Sequence, residues 1–507
     1  MSRTENTVKN FYFNLVTQIL SLFLGFWGRA IFIKTLGSDI LGLNSLYGEI
    51  LSMLSLTDLG LGLAARYSLY KPLAENDSKK IAALITYYKK IYHGIALTIL
   101  GIGLGIIPFL HHIINSVDPI QGMYLYYIIF LSNTVCSYLV AYKALVITAD
   151  QKGYIIARYG AILNTIKTIC QVISLVLWHN YYIYLLLAVI ATLLQNIIVS
   201  RITEKRYPFI KRKGVLKEEE KKSLFNNITS VFIYKMASVV FTSTDNTLIS
   251  IICGLHYVGL YANYKLISYY LEVIISLVFG ACSASIGNLM VKEGAEERYI
   301  VFDALQTLCQ ILSVIILGCF YNLVNDFIIC WISAEYLVDH STLICIAINL
   351  YMVIVLKPTI SFREATGLYS KTKYFMIAAS AENLVLSIIL GLRWGMAGIF
   401  LASAIARLTT YFWYEPKLLY SAFFNKEVFC YYFNLFINLL ATLTACCSTH
   451  VAISFISISG WFGWIIKAMV SIIISSSVAY VIYRKTSGFR WLYIKILQIL
   501  KMKPKYN

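Results

Sequence analysis

Long apolar segments dominate this chain. Fourteen of them follow one another between Asn10 and Lys485, and each is roughly long enough to cross a bilayer. The hydrocarbon core of a bilayer is about 30 Å thick, which takes roughly 20 helical residues to cross. Because backbone groups in lipid must be hydrogen-bonded within their own segment, each run is predicted to be a helix. The sequence therefore predicts an all-α polytopic membrane protein.

The composition supports the same fold class. The chain is 59% hydrophobic and 13% charged, whereas soluble domains are about 25% charged. So few charges cannot cover a surface that faces water. The fourteen predicted transmembrane helices are 10–33, 40–64, 88–110, 122–145, 155–177, 181–201, 223–251, 256–283, 302–320, 341–362, 374–392, 395–413, 428–448 and 461–483.

The connections between these helices alternate between basic and non-basic. With the N-terminus inside, 35 of the 43 basic residues fall in cytoplasmic stretches, and the external loops hold Lys34 and Arg393. Positively charged flanks stay on the cytoplasmic side, so both termini are predicted to be cytoplasmic. This basic face explains the net charge of +18 without nucleic acid. Anionic membrane lipids are its expected partners.

The longest cytoplasmic connection divides the chain into halves. We expect an N-lobe of six helices over 1–201, a linker over 202–222, a C-lobe of six helices over 223–420, two further helices over 421–484 and a basic cytoplasmic tail over 485–507. The linker contains the run Lys211, Arg212 and Lys213, which we interpret as a solvated charged segment.

An internal repeat supports the division into two pseudosymmetric lobes. The segment 36–47 aligns with 253–264 at an offset of 217, which matches Gly37 with Gly254, Gly42 with Gly259, Leu43 with Leu260 and Tyr47 with Tyr264. Each copy is predicted to form the external turn between the first two helices of its lobe. Both copies begin from the cytoplasmic side, so they are parallel repeats, as in transporters whose two lobes move around a central cavity.

Polar side chains form stripes inside several predicted helices. On the first helix, polar or small residues recur every three or four positions from Asn14 to Arg29, so they share one face. The residues expected to line a central cavity are Asn14, Gln18, Glu49, Asn164 and Gln171. Hydrogen bonds between helices, or buried ion pairs such as Lys265 with Glu272, are the alternative interpretation of these stripes.

The sign of the buried charges predicts the ligand. The basic residues well inside the predicted helices are Arg29, Lys167, Lys235 and Lys265. Such residues usually face a bundle interior or a water-filled cavity, and they bind phosphate oxygens through charge-assisted hydrogen bonds. A diphosphate attached to a lipid would satisfy several of these cations together. Candidate groups for a coupling cation, with a structural role equally open, are Asp245, Glu272 and Glu382.

At this point the chain resembles the bacterial polysaccharide transporters, the O-antigen-type oligosaccharide flippases of the multidrug/oligosaccharidyl-lipid/polysaccharide (MOP) exporter superfamily. It is most similar to the Gram-positive capsule and wall-polysaccharide branch. The segments that carry the resemblance are 41–46, 67–74, 258–264, 362–368 and 412–416. The resemblance implies alternating-access flipping of undecaprenyl-diphosphate-linked repeat units from the inner to the outer leaflet of the bacterial plasma membrane.

The resemblance also implies site residues. The related lipid II flippases use cations on helices one and eight for the diphosphate, and Arg29 and Lys265 correspond by helix position. Their sodium site lies among helices seven, eleven and twelve, which points to Asp245 and Asn383, with Glu382 beside them. This sequence departs from those flippases at Ala30, where an acid would follow Arg29 in its first-helix charge pattern.

Two other functions are weighed against a flippase. A membrane-embedded polysaccharide polymerase or glycosyltransferase usually has a large external loop, but the longest one here, 321–342, contains a sparse set of acids. A cation-coupled drug exporter of the same superfamily commonly has twelve helices and more acids than bases in its binding lobe. Four deep cations and two extra helices argue against it.

No cofactor or enzymatic activity is predicted. The chain has no GxxxxGK[ST] loop for ATP hydrolysis and no CxxC spacing among its eleven cysteines. Coupling to a proton or sodium gradient is the expected energy source, with the substrate gradient or a partner as alternatives. The expected partners are a lipid-linked oligosaccharide, a polysaccharide polymerase and glycosyltransferases, and the chain is expected to be a monomer.

Overall fold

The computed structural model describes residues 3–55, 61–212, 214–216 and 218–501. The chain divides into two compact units, Met1–Ala262 and Asn263–Asn507. The described residues are almost all helical and contain no β-strand. The units part within a helix, beyond the predicted linker 202–222, so the assignment of six helices to each lobe stays a prediction.

The first unit contains ten helices among the described residues, together with the start of an eleventh. They are α1 (Arg3–Leu54), α2 (Leu61–Ala74), α3 (Ser78–Ile106), α4 (Leu110–Ile113), α5 (Met123–Tyr138), α6 (Ala141–Ala149), α7 (Gly153–Trp178), α8 (Tyr181–Arg206), α9 (Glu218–Ser243), α10 (Asp245–Ile252) and the beginning of α11 (Leu255–Lys292).

The second unit continues α11 and adds seven further helices within the described ranges. They are α12 (Ala295–Trp331), α13 (His340–Thr366), α14 (Tyr369–Thr409), α15 (Tyr411–Leu419), α16 (Phe429–Ser454), α17 (Gly460–Tyr483) and α18 (Ser487–Lys501). A π-helical turn, Tyr420–Phe424, extends α15.

Glycines break two of these helices where the sequence predicts a turn between two spans. In α1, Gly37 has φ of 80°, and in α14, Gly395 has φ of 58°. Only glycine adopts such angles readily, so each break divides one helix into two predicted spans. By length and hydropathy, nine helices in the described part of the chain could cross a membrane, or ten if the bent pair α5 and α6 counts as one span. The prediction of an all-α, multi-pass membrane protein is confirmed.

Two predicted helix ends differ from the observed ones. The stretch 66–90, predicted as a cytoplasmic connection, is largely helical, and Asp77 caps α3 by accepting a hydrogen bond of 2.9 Å from the Lys80 backbone N–H. The ninth predicted helix, 302–320, continues to Trp331. Its polar end is tolerated because Asp326 accepts a hydrogen bond of 2.6 Å from Lys467 of α17, which neutralises both charges.

The segment after α8 is not solvated along its length. Tyr207, Ile210 and Leu216 are buried, and Gly214 lies so close to α3 that an added Cβ would stand 2.6 Å from the Ala83 backbone. Lys211 and Arg212, which lie between these buried residues in the sequence, are exposed. The described part of the predicted linker is therefore packed against the helices. Its apolar residues lie on both sides of Lys211 and Arg212 in the sequence and are buried, while these two charged residues stay exposed.

The two helices predicted over 421–484 pack on α12. Val314, Ala441, Ala445 and Ala479 share one buried cluster with Tyr483. Small residues allow the close approach, since a Cβ at Gly318 would lie 2.2 Å from the Ser475 hydroxyl. Membrane helices associate through such small-residue contacts rather than through a hydrophobic driving force.

Two of the family-like segments meet through a buried ion pair in the second unit. Arg363, near the end of α13, donates a hydrogen bond of 2.7 Å to Glu415 of α15, and both side chains are 2% exposed. Tyr369 stacks on the guanidinium at 5.4 Å. These segments therefore join α13, α14 and α15 at one end of the unit.

Candidate transport site

The two repeat copies contact each other reciprocally in the first unit. A Cβ added at Gly42 would lie 2.3 Å from the Leu255 carbonyl oxygen, and one added at Gly259 would lie 2.2 Å from the Ser38 carbonyl oxygen. Ser38 and Leu255 are themselves equivalent positions of the repeat, as are Gly42 and Gly259. The contact is therefore made twice, and we call these four residues the repeat junction.

The preceding glycines of the two copies also match. Gly37 and Gly254 both have positive φ, 80° and 111°. The repeated tyrosines are fully buried, and each forms hydrogen bonds within its own unit. Tyr47 donates to the Met123 carbonyl at 2.9 Å, and Tyr264 donates to Asn325 at 2.7 Å. The repeat recognised in the sequence is thus a repeat of conformation.

Hydrogen bonds hold the surroundings of the repeat junction together. The Leu255 N–H donates to the Asn115 carbonyl at 2.7 Å, and the Ser250 hydroxyl donates to the Ile113 carbonyl at 2.7 Å. Glu49, a predicted cavity residue, is buried and accepts a hydrogen bond of 3.2 Å from the Asn246 N–H. That N–H belongs to the first turn of α10, where the helix dipole favours a carboxylate.

Polar side chains complete the rim of the junction. The Ser38 hydroxyl lies 2.8 Å from His256 Nδ1, and the same nitrogen lies 3.4 Å from the Asp39 carboxylate. All of these contacts join α1, or the connection after α3, to α10 and the start of α11. These contacts hold the two repeat copies together within the first unit.

Two of the predicted cations flank one helix crossing. Gly28 of α1 faces α7, where its Cβ would lie 3.5 Å from the Thr168 side chain. Arg29 and Lys167 are the neighbours of these two residues, and both are half-buried. Arg29 also interacts electrostatically with Tyr184 of α8. The polar stripes of the first and fifth predicted helices thus lie near the same crossing.

The remaining predicted residues of the first unit have different environments. Gln171 is buried and donates to the Tyr184 carbonyl at 2.8 Å, so it joins α7 to α8. Gln18, Asn164 and Lys235 are partly exposed on their helices. The side chain of Asn14 lies outside the described residues. For Gln171 the interhelical hydrogen bond, which was the alternative interpretation, is observed.

The second unit gathers charges from three helices. Glu272 of α11 interacts electrostatically with Arg407 of α14, with Lys357 of α13 and with Lys265 on its own helix. The Lys357 ammonium also donates to the Ser276 hydroxyl, one turn beyond Glu272, at 3.2 Å. All four charged residues are partly buried. We call Lys265, Glu272, Lys357 and Arg407 the charged cluster.

A second polar site of this unit lies on α14. Asn383 is fully buried and donates a hydrogen bond of 2.7 Å to Ser403. Its side-chain oxygen, and the hydroxyl of Ser387 one turn later, have no hydrogen-bond partner among the described residues. Glu382 points elsewhere and accepts a hydrogen bond of 2.7 Å from Thr409. Two buried oxygens on one helix face are thus left for another ligand.

Sequence reasoning missed Lys357, Arg407 and Ser387. Lys357 lies inside the predicted helix 341–362, so the same rule that selected Lys265 would have found it. Arg407 lies near the predicted cytoplasmic end of the helix 395–413, and only its electrostatic interaction with Glu272 reveals it. Asp245 and Asn383 belong to different units, so a sodium site shared by them stays a prediction.

Neither a family model nor a curated protein matches the chain. Solved structures do match it. The structure entitled "Lipid II flippase MurJ, inward closed conformation" is similar with a TM-score of 0.69 at 14% identity, covering 93% of this chain and 99% of that chain. A multidrug resistance MATE family transporter of the MOP superfamily, inward-facing, gives 0.57 at 13% identity, covering 78% and 93%. A MOP superfamily transporter from Pyrococcus furiosus gives 0.54 at 11%, covering 83% and 96%.

The chain therefore has the fold of the MOP superfamily transporters. The match to the lipid II flippase structure covers 93% of this chain, whereas the match to the inward-facing MATE transporter covers 78% of it. The structural neighbours reported above are a flippase and transporters, and the chain is a multi-pass membrane protein of this fold.

Proposed function

We propose that the protein is a flippase of the bacterial plasma membrane. Its substrate would be an oligosaccharide repeat unit linked to undecaprenyl diphosphate, moved from the inner to the outer leaflet for capsule or cell-surface polysaccharide synthesis. The observation that carries this proposal is the charged cluster, in which Arg407, Lys357 and Lys265 interact electrostatically with one carboxylate, Glu272.

The energetics of the cluster favour an anionic substrate. A Lys or Arg at the centre of a membrane helix costs about 2.5–3.5 kcal/mol on insertion scales. The charged cluster contains three cations and one carboxylate, Glu272. A diphosphate provides further negative charges and phosphate oxygens that accept from both Lys and Arg. The N-lobe cations Arg29, Lys167 and Lys235 are proposed to serve the same group.

Alternating access gives the repeat junction its role. The repeat junction lies at the end of the first unit that is predicted to be external, and its contacts are made mainly by backbone atoms, with the buried Leu255 side chain against Gly42. We infer that it separates when the protein opens to the outside. Backbone contacts between glycines can part and close again with little rearrangement of side chains in a packed interior.

A coupling cation is the third part of the proposal. Sodium is a hard cation, and hard cations bind oxygen ligands. The buried oxygens of Asn383 and Ser387 are suited to it, and Asp245 would supply the negative charge expected from the resemblance. A monomer that receives its substrate from glycosyltransferases and passes it to a polymerase remains the expected context.

The decisive experiment measures flipping of a fluorescent undecaprenyl-diphosphate oligosaccharide in vesicles that contain the full chain. Lys265→Gln and Arg407→Gln should each slow flipping about tenfold or more, since a hydrogen bond to a charged group contributes roughly 1.5–3 kcal/mol. Arg393→Gln is the matched control, because Arg393 is exposed between two spans. Wild-type rates in both cluster variants would contradict the proposal.

The same vesicles distinguish a drug exporter. A flippase should leave the distribution of a cationic dye such as ethidium unchanged under sodium or proton gradients. Gradient-driven ethidium transport without flipping of the lipid diphosphate would replace the proposed function with drug export, for which the structurally similar multidrug resistance MATE transporter is named.

A further inference from the structure

A basic cavity lies in the first unit, and none of the residues of the repeat junction lines it. Its volume is about 650 Å³, within the range of about 300–1,000 Å³ found for small-molecule sites. It lies between α3, α6, the end of α8 and the connection that follows α8. Its charged lining residues are Lys89, Lys90, Lys143, Lys211, Arg212 and Glu204, and we call it the basic pocket.

One face of α3 forms a wall of the pocket. Ile85, Lys89 and His93 recur every four residues, with Lys90 beside them, so the helix presents these side chains together. The opposite wall is Tyr142 and Lys143 of α6. All of these residues lie within or beside stretches that the sequence predicts to be cytoplasmic, so three basic connections converge here.

The described part of the connection after α8 packs against α3 and lines the pocket. Gly214 is needed there, because an added Cβ would lie 2.6 Å from the Ala83 backbone, and its N–H donates to the Thr86 hydroxyl at 3.3 Å. The Tyr207 hydroxyl donates to Asp150 at 2.5 Å. Burial, reinforced by this hydrogen bond, raises the pKa of Tyr207. Lys211 and Arg212 are therefore displayed at the pocket by a fixed backbone.

Glu204 positions two of the cations. Lys143, whose side chain is 15% exposed, donates to Glu204 and to the Ser200 hydroxyl, each at 2.5 Å. Lys211 lies 3.2 Å from the other oxygen of the same carboxylate. No described carboxylate lies within ion-pair distance of Lys89, Lys90 or Arg212. The described lining thus carries a clear excess of positive charge.

We propose that the basic pocket binds a phosphate or diphosphate group. Lys ammonium groups and the Arg guanidinium bind phosphate oxygens directly. The lining also includes Ile85, Ile210 and Val215, which offer apolar surface beside the cations. That combination suits the headgroup of an anionic lipid better than a free ion, and basic pockets on the cytoplasmic side of membrane proteins bind such headgroups.

The test uses the purified full chain in detergent, and it does not depend on the flippase proposal because it measures binding alone. Dioleoylphosphatidylglycerol and dioleoylphosphatidylcholine are titrated separately, and the bound lipid is counted by native mass spectrometry. Each Lys or Arg near an anionic headgroup changes affinity about fivefold, so Lys89→Gln, Lys90→Gln and Arg212→Gln together should weaken phosphatidylglycerol binding roughly 100-fold.

The matched control removes three positive charges elsewhere. Lys79, Lys371 and Lys417 are exposed and are not among the residues that line the pocket. Their triple change to Gln should leave phosphatidylglycerol affinity within about twofold of wild type, since surface charges beyond a Debye length are screened. If the pocket triple variant loses helical content, Lys89→Gln alone, with an expected loss of about fivefold, takes its place.

Competition with inorganic pyrophosphate distinguishes a site for phosphate groups in general from a site for a lipid headgroup. Displacement of phosphatidylglycerol by pyrophosphate, lost in the pocket variant, would assign the site to phosphate groups in general. Loss of lipid binding in the pocket variant without displacement by pyrophosphate would assign it to the lipid. The proposal is overturned if the pocket variant retains wild-type affinity for both probes, or if the control variant loses as much affinity.

Discussion

A single methyl group at Gly42 should open the repeat junction. The Cβ of Gly42→Ala would lie 2.3 Å from the Leu255 carbonyl oxygen and 3.1 Å from the Gly259 N–H nitrogen, both backbone atoms that cannot rotate away. Ordinary contact begins near 3.4 Å, so the two repeat copies must move apart by about 1 Å. The closed state is therefore destabilised relative to an open one.

The size of the shift follows from the cost of overpacking. Forcing one extra methyl group into a packed contact costs about 1–3 kcal/mol, which shifts a two-state equilibrium about 5-fold to 150-fold. Gly259→Ala should have a similar effect, since its Cβ would meet the Ser38 carbonyl oxygen at 2.2 Å. The double variant should add little to either, because copies already separated by one methyl group have room for the second.

Hydrogen exchange can measure this opening without a transport assay. The Leu255 N–H is protected by its hydrogen bond to the Asn115 carbonyl, so a peptide that covers 251–258 should exchange faster in Gly42→Ala by the same factor. Gly48→Ala is the control on the same helix, since its Cβ would have no neighbour within 4 Å. Unchanged exchange in Gly42→Ala, or equal acceleration in Gly48→Ala, would refute the reasoning.

Three further predictions concern the second unit. Arg363→Ala should cost about 3–5 kcal/mol of unfolding free energy in detergent by removing the Arg363 partner of the buried Glu415 carboxylate, whereas Arg363→Met with Glu415→Leu should cost much less; equal losses would contradict this. Asp339→Ala, which removes the cap of α13, should cost about 1 kcal/mol at neutral pH. Burial raises the pKa of Asp339, but hydrogen bonds from Ser341 and Thr342 outweigh it and leave the pKa lowered. The cap's contribution is therefore complete above about pH 4 and declines as pH falls through the folded pKa; thermal unfolding of both proteins at several pH values measures it, and a constant difference would count against it. Sodium, but not potassium, should raise the thermal midpoint of the wild type, and Ser387→Ala should abolish that increase; persistence in the variant would exclude Ser387 as a ligand.

The helices could be predicted because backbone groups in lipid must be hydrogen-bonded within their own segment. Where a predicted end differs, a tertiary contact is responsible. Asp326 indicated a loop in the sequence, yet its ion pair with Lys467 lets α12 continue through it. Periodicity and hydropathy carry no information about which distant charge will neutralise another. The turn at Gly37 was predicted from the sequence. The contact between the two repeat copies at the repeat junction was not.

The residues of the candidate site likewise include some that the sequence predicts and some that only the tertiary structure reveals. Lys265 and Glu272 were identified because charges inside an apolar run are conspicuous. Arg407 was not, because it stands where a helix was expected to enter the cytoplasm, and only the packing of α14 brings it within range of Glu272. Gln171 matches the alternative interpretation of the stripes, since its side chain donates a hydrogen bond to one backbone carbonyl on the neighbouring helix.

The reciprocity of the repeat junction has a mechanical consequence. Gly42 meets Leu255 and Gly259 meets Ser38, so equivalent atoms make equivalent contacts on either side of a local pseudo-two-fold axis. A symmetric separation of the two copies lengthens both contacts together. Under the alternating-access function proposed above, two contacts that break together would give an all-or-none closure, as a carrier requires if its two sides must never be open at once.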